Sequence, residues 1–399
     1  MARELKKRPS RLITNLTLGC LGLFGSQPAL ADGWEVQGRV SVEGQYDDNP
    51  RLRTEGEESV FGISTSPELT ISKMTPTSSV YATGVVNFSE FSGDGGGGDD
   101  LDSIDQRAGA GLATKTRRST LTLDTRYSRV PTRVSEVEDT GVLTTDATRT
   151  SFAGDAGYTY RVSSRDVLSV FGNAEDVSFN KNSDQFTEYR SYGGGAAYRR
   201  VVSSSDELGL SVSYSRFDPS SNRDTASDTL NGHGSWSSSV SPQFSFEISV
   251  GGDFTWSDPP GSDSQTDANI FLEAGMDWKV SKSDALNLAF RKSAEPSSSG
   301  TIEERNTLQF GYRHDFTRSI GFDLGVNVLQ QDSVNDVGRS NDRFYLSAQP
   351  ELSWQFLQDW TVSASYRYRR QEFERSGDTA TSNGGFLKIQ YQSPPIPFF

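Results

Sequence analysis

Few residues in this sequence could do acid–base chemistry. There are two histidines, His233 and His314. A histidine that acts as a general base needs a nucleophile and an acid partner within hydrogen-bond reach. His233 lies in a polar stretch without an evident pair of this kind, and His314, beside Asp315, falls next to a short turn. We therefore expect both histidines to be structural polar residues, and we expect no catalytic residue, no enzymatic activity and no cofactor.

A metal site is the second chemistry that the residue types allow. The stretch from Gly93 to Asp100 combines aspartates with glycines, and carboxylates on a flexible backbone suit a hard cation such as calcium. The stretch lacks the ordered ligand spacing of a calcium-binding loop. An outside loop is the better interpretation, so we expect no metal there.

The first 31 residues are typical of an export signal. A basic start precedes Leu12–Gly25, which is uncharged and mostly apolar, and Ala29–Ala31 is a small-residue cleavage site. A single-pass anchor is the alternative, but the apolar core is short for a membrane span and Pro28 follows it. We predict that residues 1–31 are a cleaved signal peptide.

Cleavage would change both the cysteine content and the charge of the chain. Cys20 is the only cysteine, so a mature chain would have no disulfide and no thiolate metal site. Removing residues 1–31 removes five basic residues and one acidic residue and moves the net charge from −14 to −18. Such acidity argues against nucleic acid or anionic lipid as a partner.

The elements that position these residues are strands. From Trp34 to Tyr46, apolar or glycine residues occupy every even position and polar residues every odd one. Successive side chains of a strand point to opposite faces, so this stretch has an apolar face and a polar face. The same period recurs at 244–256 and 270–280. The mean hydropathy is low, at −0.57, and excludes a helical membrane protein but not a barrel whose interior is polar.

We predict an all-β fold, a single antiparallel transmembrane β-barrel of about 18 strands over residues 32–392. Short turns alternate with long loops, and a serine-rich turn followed by aspartate recurs at 163–166, 203–206 and 281–284. Tight periplasmic turns, longer outside loops and an even strand number place both termini in the periplasm and the barrel in the outer membrane. A soluble β-propeller, which would show blade-length repeats, is the rejected alternative.

The polar face supplies the candidate lumen-lining residues. The alternation predicts that fourteen charged side chains project inward: Arg39, Glu43, Asp124, Arg126, Asp155, Arg161, Asp253, Glu273, Asp277, Arg313, Asp323, Glu351, Arg367 and Arg369. A lumen of both signs can filter solutes by its transverse field. The alternative is that these residues only hydrate the wall and brace it through salt bridges.

Some aromatic residues fall on the polar face. Since aromatic rings stack on sugar rings, they are candidate sugar-stacking residues: Phe171, Phe271, Tyr345 and Phe386. The alternative is a β-bulge that shifts the strand by one residue and turns the ring outward.

Short motifs resemble those of a known group. Tyr46–Pro50 after the first strand, the serine–aspartate hairpins and the final segment Gly384–Tyr391 are similar to the outer-membrane β-barrel porins associated with exopolysaccharide and exosortase (PEP-CTERM) systems of Gram-negative bacteria. The resemblance implies an export pore for an exopolysaccharide that acts with periplasmic polysaccharide-export proteins. It implies no catalytic residue.

The expected function is therefore passive transport through a barrel in outer-membrane lipid, inserted by the barrel-assembly machinery. The main expectation is export of a polysaccharide. The alternatives are a general diffusion porin for small hydrophilic solutes and a structural or adhesive barrel. Residues 393–399 are proline-rich, and because proline cannot continue a ladder, we expect this tail to hang at the periplasmic mouth.

Overall fold

The computed structural model describes residues 33–93, 101–143, 147–180, 185–220, 225–257, 264–333, 342–374 and 376–398. The predicted signal peptide, residues 1–31, and nearly all of the acidic glycine stretch lie outside the described residues. No helix among the described residues is long and apolar enough to cross a bilayer.

Eighteen long strands make up almost all of the described chain, as the alternation predicts. A short helix and a short last strand complete it. The strands are β1 (Trp34–Asp47), β2 (Val60–Met74), β3 (Ser78–Gly93), β4 (Ser103–Lys115), β5 (Ser119–Pro131), β6 (Thr148–Arg161), β7 (Asp166–Phe179), β8 (Tyr189–Val201), β9 (Asp206–Pro219), β10 (Ser227–Ser241), β11 (Phe244–Ser257), β12 (Gln265–Trp278), β13 (Asp284–Pro296), β14 (Ile302–Asp315), β15 (Ile320–Ser333), β16 (Arg343–Leu357), β17 (Trp360–Phe373), β18 (Thr379–Gln392) and β19 (Ile396–Phe398), and the helix is α1 (Thr132–Ser135).

The sheet closes on itself. Each long strand pairs antiparallel with the next, and β1 pairs antiparallel with β18 from Arg39 opposite Gln392 to Asp47 opposite Gly384. Closure removes the free edges that an open sheet would expose. The predicted barrel of about 18 strands is confirmed.

The two faces of the wall differ as the alternation predicts. On β1 and β2 the outward side chains stay exposed, with Val40 at 44% and Phe61 at 63% of their accessible surface. The inward Asp47 and Ser64 retain 4% and 9%. An exposed apolar outer band and a polar interior are the arrangement that a barrel needs in lipid.

The serine–aspartate repeat builds turns at one end of the barrel, which we call the short-turn end. In the first copy, Ser163 Oγ accepts from the backbone N–H of Asp166 at 3.0 Å and donates to its carboxylate at 2.6 Å. Tyr198 on the next strand donates to the other carboxylate oxygen at 2.6 Å. The same arrangement joins Ser203, Asp206 and Trp236, and Ser281, Asp284 and Tyr312. The repeat therefore ties each turn to the aromatic residue of the following strand.

The C-terminal tail does not hang free, so that expectation is wrong. After Gln392, Ser393 exchanges hydrogen bonds of 2.8 Å with Gly38, and Ile396–Phe398 pairs with Trp34–Val36. The reason is that β1 extends past the end of β18 and offers an unpaired edge. The kink at the prolines lets the chain resume the ladder as β19.

Candidate functional site

The segment between β5 and β6 turns into the barrel instead of standing out from it. Its described part, residues 132–143, is named here the inward segment. It starts with the single turn α1 after Pro131, and its ends meet where Thr132 N–H donates to the Ala147 carbonyl at 2.9 Å. A loop with closed ends and buried side chains is an Ω-loop in form.

An ion pair anchors the inward segment to the far wall. Asp139 pairs with Arg305 of β14, and β5 and β14 lie opposite each other in the ring. The other carboxylate oxygen of Asp139 accepts from the backbone N–H and the hydroxyl of Ser298, at 3.0 and 2.7 Å. Since Asp139 is only 7% exposed, its charge depends on these partners.

Arg343 of β16 provides the second anchor. Its side chain is fully buried and donates to the carbonyl oxygens of Val137 and Asp139 at 2.8 and 3.1 Å. Gln371 of β17 donates to the Gly141 carbonyl at 3.0 Å. Gly141 has a φ of 71°, and a Cβ there would lie 2.7 Å from Arg343 Nη1. Glycine is required here both by the backbone conformation and by the close approach of the guanidinium.

Two apolar clusters surround the C-terminal end of the inward segment. Leu143 packs with Leu52, Leu329, Tyr345 and Ala380. The preceding residue, Val142, packs against a second cluster formed by Ala147, Val177, Phe179, Phe186, Tyr189, Phe217 and Ile302. At the end of the barrel opposite the short-turn end, which we call the long-loop end, the interior is therefore packed in part like a protein core.

The inward segment also contains a second buried carboxyl group. Glu136 is fully buried, is hydrogen-bonded to Ser135 and Thr140, and lies 3.8 Å from Arg149. Burial and the charge of Asp139 raise the pKa of Glu136 to about 7. Burial alone would also raise the pKa of Asp139, but Arg305, Arg149 and the Ser298 hydrogen bonds lower it. The two neighbouring carboxyl groups thus titrate in opposite directions from their ordinary values.

The tip of the inward segment reaches the middle of the wall. Glu138 is exposed and accepts a hydrogen bond of 2.6 Å from Asn327, which lies midway along β15. The sequence predicts long outside loops between strands and does not distinguish this one from the others. Val134, Val137, Val142 and Leu143 are apolar for a solvated loop, and they were the available sign that it folds inward.

The fourteen charged residues predicted to line the lumen all lie on the inward register of their strands. The structure pairs several of them with other inward charges. Arg126 is 2.6 Å from Asp155, Arg39 is 3.3 Å from Glu68, and Arg367 and Arg369 both contact Asp47, at 3.0 and 2.9 Å. These pairs favour the bracing role for part of the set, and the solute-filtering role stays a prediction.

One sector of the interior is acidic. The described inward side chains of β9–β12 contain no lysine or arginine, and they include the carboxylates Glu207, Asp253, Glu247, Asp267, Glu273 and Asp277. Three of these, Glu207, Glu247 and Asp267, are absent from the predicted set, although the alternation that identifies Glu273 places them on the same face. Serine and threonine fill most of the other inward positions on β9–β11.

The four aromatic residues on the polar face do point inward. The register is continuous at each of them, and the shifts recorded in these strands lie elsewhere. Phe271 and Tyr345 are buried, at 6% and 3% exposure, whereas Phe171 retains 40%. Phe386 lies 4.6 Å from the Arg367 guanidinium. Sugar stacking stays a prediction, and Phe171 offers the most accessible ring.

The histidines have different environments. His314 lies on the outward face at the short-turn end and contacts Asp284 through Nδ1 at 2.7 Å. His233 lies on the inward face, contacts Asn231 at 2.8 Å and stacks on Phe271. Among the described residues, no three histidine, cysteine, aspartate or glutamate side chains come together in a way that could hold a metal ion.

Comparison with known structures identifies the barrel architecture. The chain is similar to OpdO of Pseudomonas aeruginosa, with a TM-score of 0.50 at 13% identity over 93% of this chain and 99% of that one. It is also similar to the FrpB iron transporter of Neisseria meningitidis, with a TM-score of 0.50 at 8% identity over 91% and 83%. OccAB3 of Acinetobacter baumannii gives 0.45 at 11% identity over 90% and 99%. The fold is that of an outer-membrane porin.

These likenesses concern the porin fold alone. No protein-family model and no curated protein matches the sequence. The resemblance to porins of exopolysaccharide systems thus holds for the barrel architecture, and the association with polysaccharide export has no support from these comparisons.

Proposed function

We propose that this chain is an outer-membrane channel for small hydrophilic solutes. The long-loop end would face outward, and both termini would lie in the periplasm. The proposal is supported by the closed wall, whose outward face is apolar and whose inward face is polar. It implies outer-membrane lipid around the barrel and insertion by the barrel-assembly machinery.

The choice between a polysaccharide and small solutes as the transported molecule depends on the inward segment. It crosses the interior from β5 to the opposite wall and is held there by Arg305 and Arg343. A polysaccharide chain would have to displace these buried contacts along its whole passage. Small solutes need only the space left beside the segment. We therefore favour the small-solute alternative over the exopolysaccharide outlet.

The inward charges that stay exposed have the chemistry of a solute pathway. Arg126 and Asp155 keep 38% and 42% of their side-chain surface exposed, although they pair with each other. Glu207 and Arg199 keep 36% and 49%. Hydrated charges of both signs replace part of the water shell of a polar solute and discriminate by charge.

Swelling of proteoliposomes tests the proposal. Vesicles containing the mature chain should swell in isotonic solutions of small sugars and amino acids, and they should not swell with dextran polymers. The control is vesicles that contain the heat-denatured chain. Absence of swelling with every small solute would overturn the channel proposal. Loss of surface polysaccharide on deletion of the gene, with dextran passing the vesicles, would restore the export interpretation.

A further inference from the structure

Three neighbouring strands place a ring stack on the inward face. His233 of β10, Gly251 of β11 and Phe271 of β12 are at the same register level. Since Gly251 has no side chain, the rings of His233 and Phe271 meet across it, with centroids 4.7 Å apart and planes 24° from parallel. Phe271 is buried beneath this contact. The stack fixes the position of the imidazole on the wall.

A chain of hydrogen bonds fixes the tautomer of His233. A carboxylate only accepts hydrogen bonds, so the contact of 2.5 Å between Asn231 Nδ2 and Asp253 must run from Asn231 to Asp253. The amide oxygen of Asn231 then faces His233 Nδ1 at 2.8 Å and can only accept. The proton of the neutral imidazole is therefore on Nδ1. Nε2 is left with a free lone pair.

The inward face around this lone pair carries three carboxylates and one guanidinium. Asp253 lies two bonds along the same network, and Glu273 and Glu247 follow on β12 and β11 toward the short-turn end. Ser249 of β11 lies directly opposite Glu273 and is fully buried, and its hydroxyl has no hydrogen-bond partner within the described structure. The inward cation Arg291 of β13 lies directly opposite Glu273 and contacts Glu295 at 3.4 Å, so carboxylates outnumber cations in this region. His233 Nε2 is a hydrogen-bond acceptor in a sector rich in carboxylates and hydroxyls, and such a site suits a cationic hydrogen-bond donor.

We propose that His233 is a binding subsite in the channel for solutes that carry a primary ammonium group. The inference rests on the proposed channel function. The ammonium would donate one N–H to His233 Nε2, and Asp253 and Glu273 would balance its charge. A transition-metal ion is the weaker fit, because the described residues bring no three metal-binding side chains together.

Channel block by a small diamine tests the subsite. In planar bilayers, 1,4-diaminobutane should reduce the conductance of the wild-type chain with a saturable dose dependence, whereas the neutral 1,4-butanediol should not. His233→Phe keeps a ring to stack on Phe271 but removes Nε2. Because a hydrogen bond to a charged group is lost, the apparent affinity for the diamine should fall by about tenfold or more. His314→Gln removes the histidine on the outward face at the short-turn end and is the control, with block unchanged.

The outcomes separate the two proposals. A wild-type chain that never conducts would overturn the channel function itself. A conducting chain whose block by the diamine is equal in the wild type and His233→Phe would overturn only the subsite.

A second measurement does not depend on that variant folding. The chain has two histidines, so ¹⁵N-histidine labelling of the His314→Gln variant reports on His233 alone. We expect an unprotonated Nε2 whose resonance moves on adding the diamine. A proton on Nε2, or no movement, would contradict the subsite.

Discussion

The Arg343 guanidinium donates a hydrogen bond of 2.8 Å to the carbonyl oxygen of Val137, and the two residues come from distant parts of the barrel ring. Arg343 begins β16, whereas Val137 lies in the segment that leaves β5. A buried arginine that satisfies main-chain carbonyls holds a loop at a defined position. The contact makes the inward segment a fixed part of the wall, and several testable properties depend on it.

Arg343→Ala should release the inward segment. The substitution leaves the carbonyls of Val137 and Asp139 buried without their donor, at about 1–3 kcal/mol each. Limited proteolysis of the detergent-purified barrel with a glutamate-specific protease should then cut after Glu136, which is fully buried in the wild type. Arg370→Ala, which removes an exposed outward pair with Glu372, is the control. Equal resistance in both variants would argue against the anchor.

The docking of the inward segment should weaken as the pH rises. Because burial raises the pKa of Glu136 to about 7, the docked state binds a proton more tightly than the undocked one. Docking is therefore favoured at pH 5 and loses on the order of 1–3 kcal/mol as the pH rises through 7. Above pH 5, Asp139, whose pKa is lowered by its partners, stays ionised and contributes no change.

Single-channel recording at pH 5 and pH 8 checks this dependence. Openings to a larger conductance should be more frequent at pH 8. Glu136→Gln, which stays neutral, should remove the difference. A pH response of the same size in Glu136→Gln would assign it to other groups.

Gly251→Ala should disturb the wall where the ring stack sits. A Cβ at Gly251 would lie 2.0 Å from the Gly232 carbonyl oxygen and 2.6 Å from His233 Cα. Backbone atoms cannot give way cheaply, so we expect a loss of about 1–3 kcal/mol or more. Gly232→Ala is the matched control on the adjacent strand, since a Cβ there meets nothing within 4 Å. The stability of both variants is measured as the temperature at which the barrel loses its folded mobility in SDS gels. Equal temperatures for the two variants would contradict the clash.

Deleting residues 393–399 should lower the thermal stability of the barrel. The deletion removes β19 and the Ser393 contacts and so leaves Trp34–Gly38 with an unpaired edge at the closing seam. Unpaired edge groups in a barrel wall are unfavourable and invite wrong pairing. A substitution of Ser376, in the exposed loop between β17 and β18, is the control and should leave the melting temperature unchanged. An unchanged melting temperature in the truncated chain would mean that β19 does not stabilise the seam.

The sequence predicted the wall well because strand faces are set by a period of two. A side chain such as Asp253 or Phe171 has its face fixed by its neighbours along the strand, so local pattern is sufficient. Phe171 and Phe271 broke the polar pattern, and a bulge was a fair alternative. The continuous register places both rings inside the barrel.

The contacts inside the barrel could not be predicted from the sequence in the same way. The contacts of Asp139 with Arg305 and of Gln371 with Gly141 join residues far apart in sequence, and no local periodicity encodes them. The prediction for the C-terminal tail was wrong for a related reason. Proline stops a ladder locally, but the unpaired end of β1 supplies a partner that only the closed fold reveals.

The exclusion size for neutral polymers, measured by single-channel conductance, tests the central claim most directly. The wild-type chain should conduct in small steps and admit only the smallest polyethylene glycols. A variant in which a short glycine–serine link replaces residues 134–142 should conduct in larger steps and admit larger polymers. Identical steps and an identical polymer cut-off in both proteins would contradict an inward segment that limits passage.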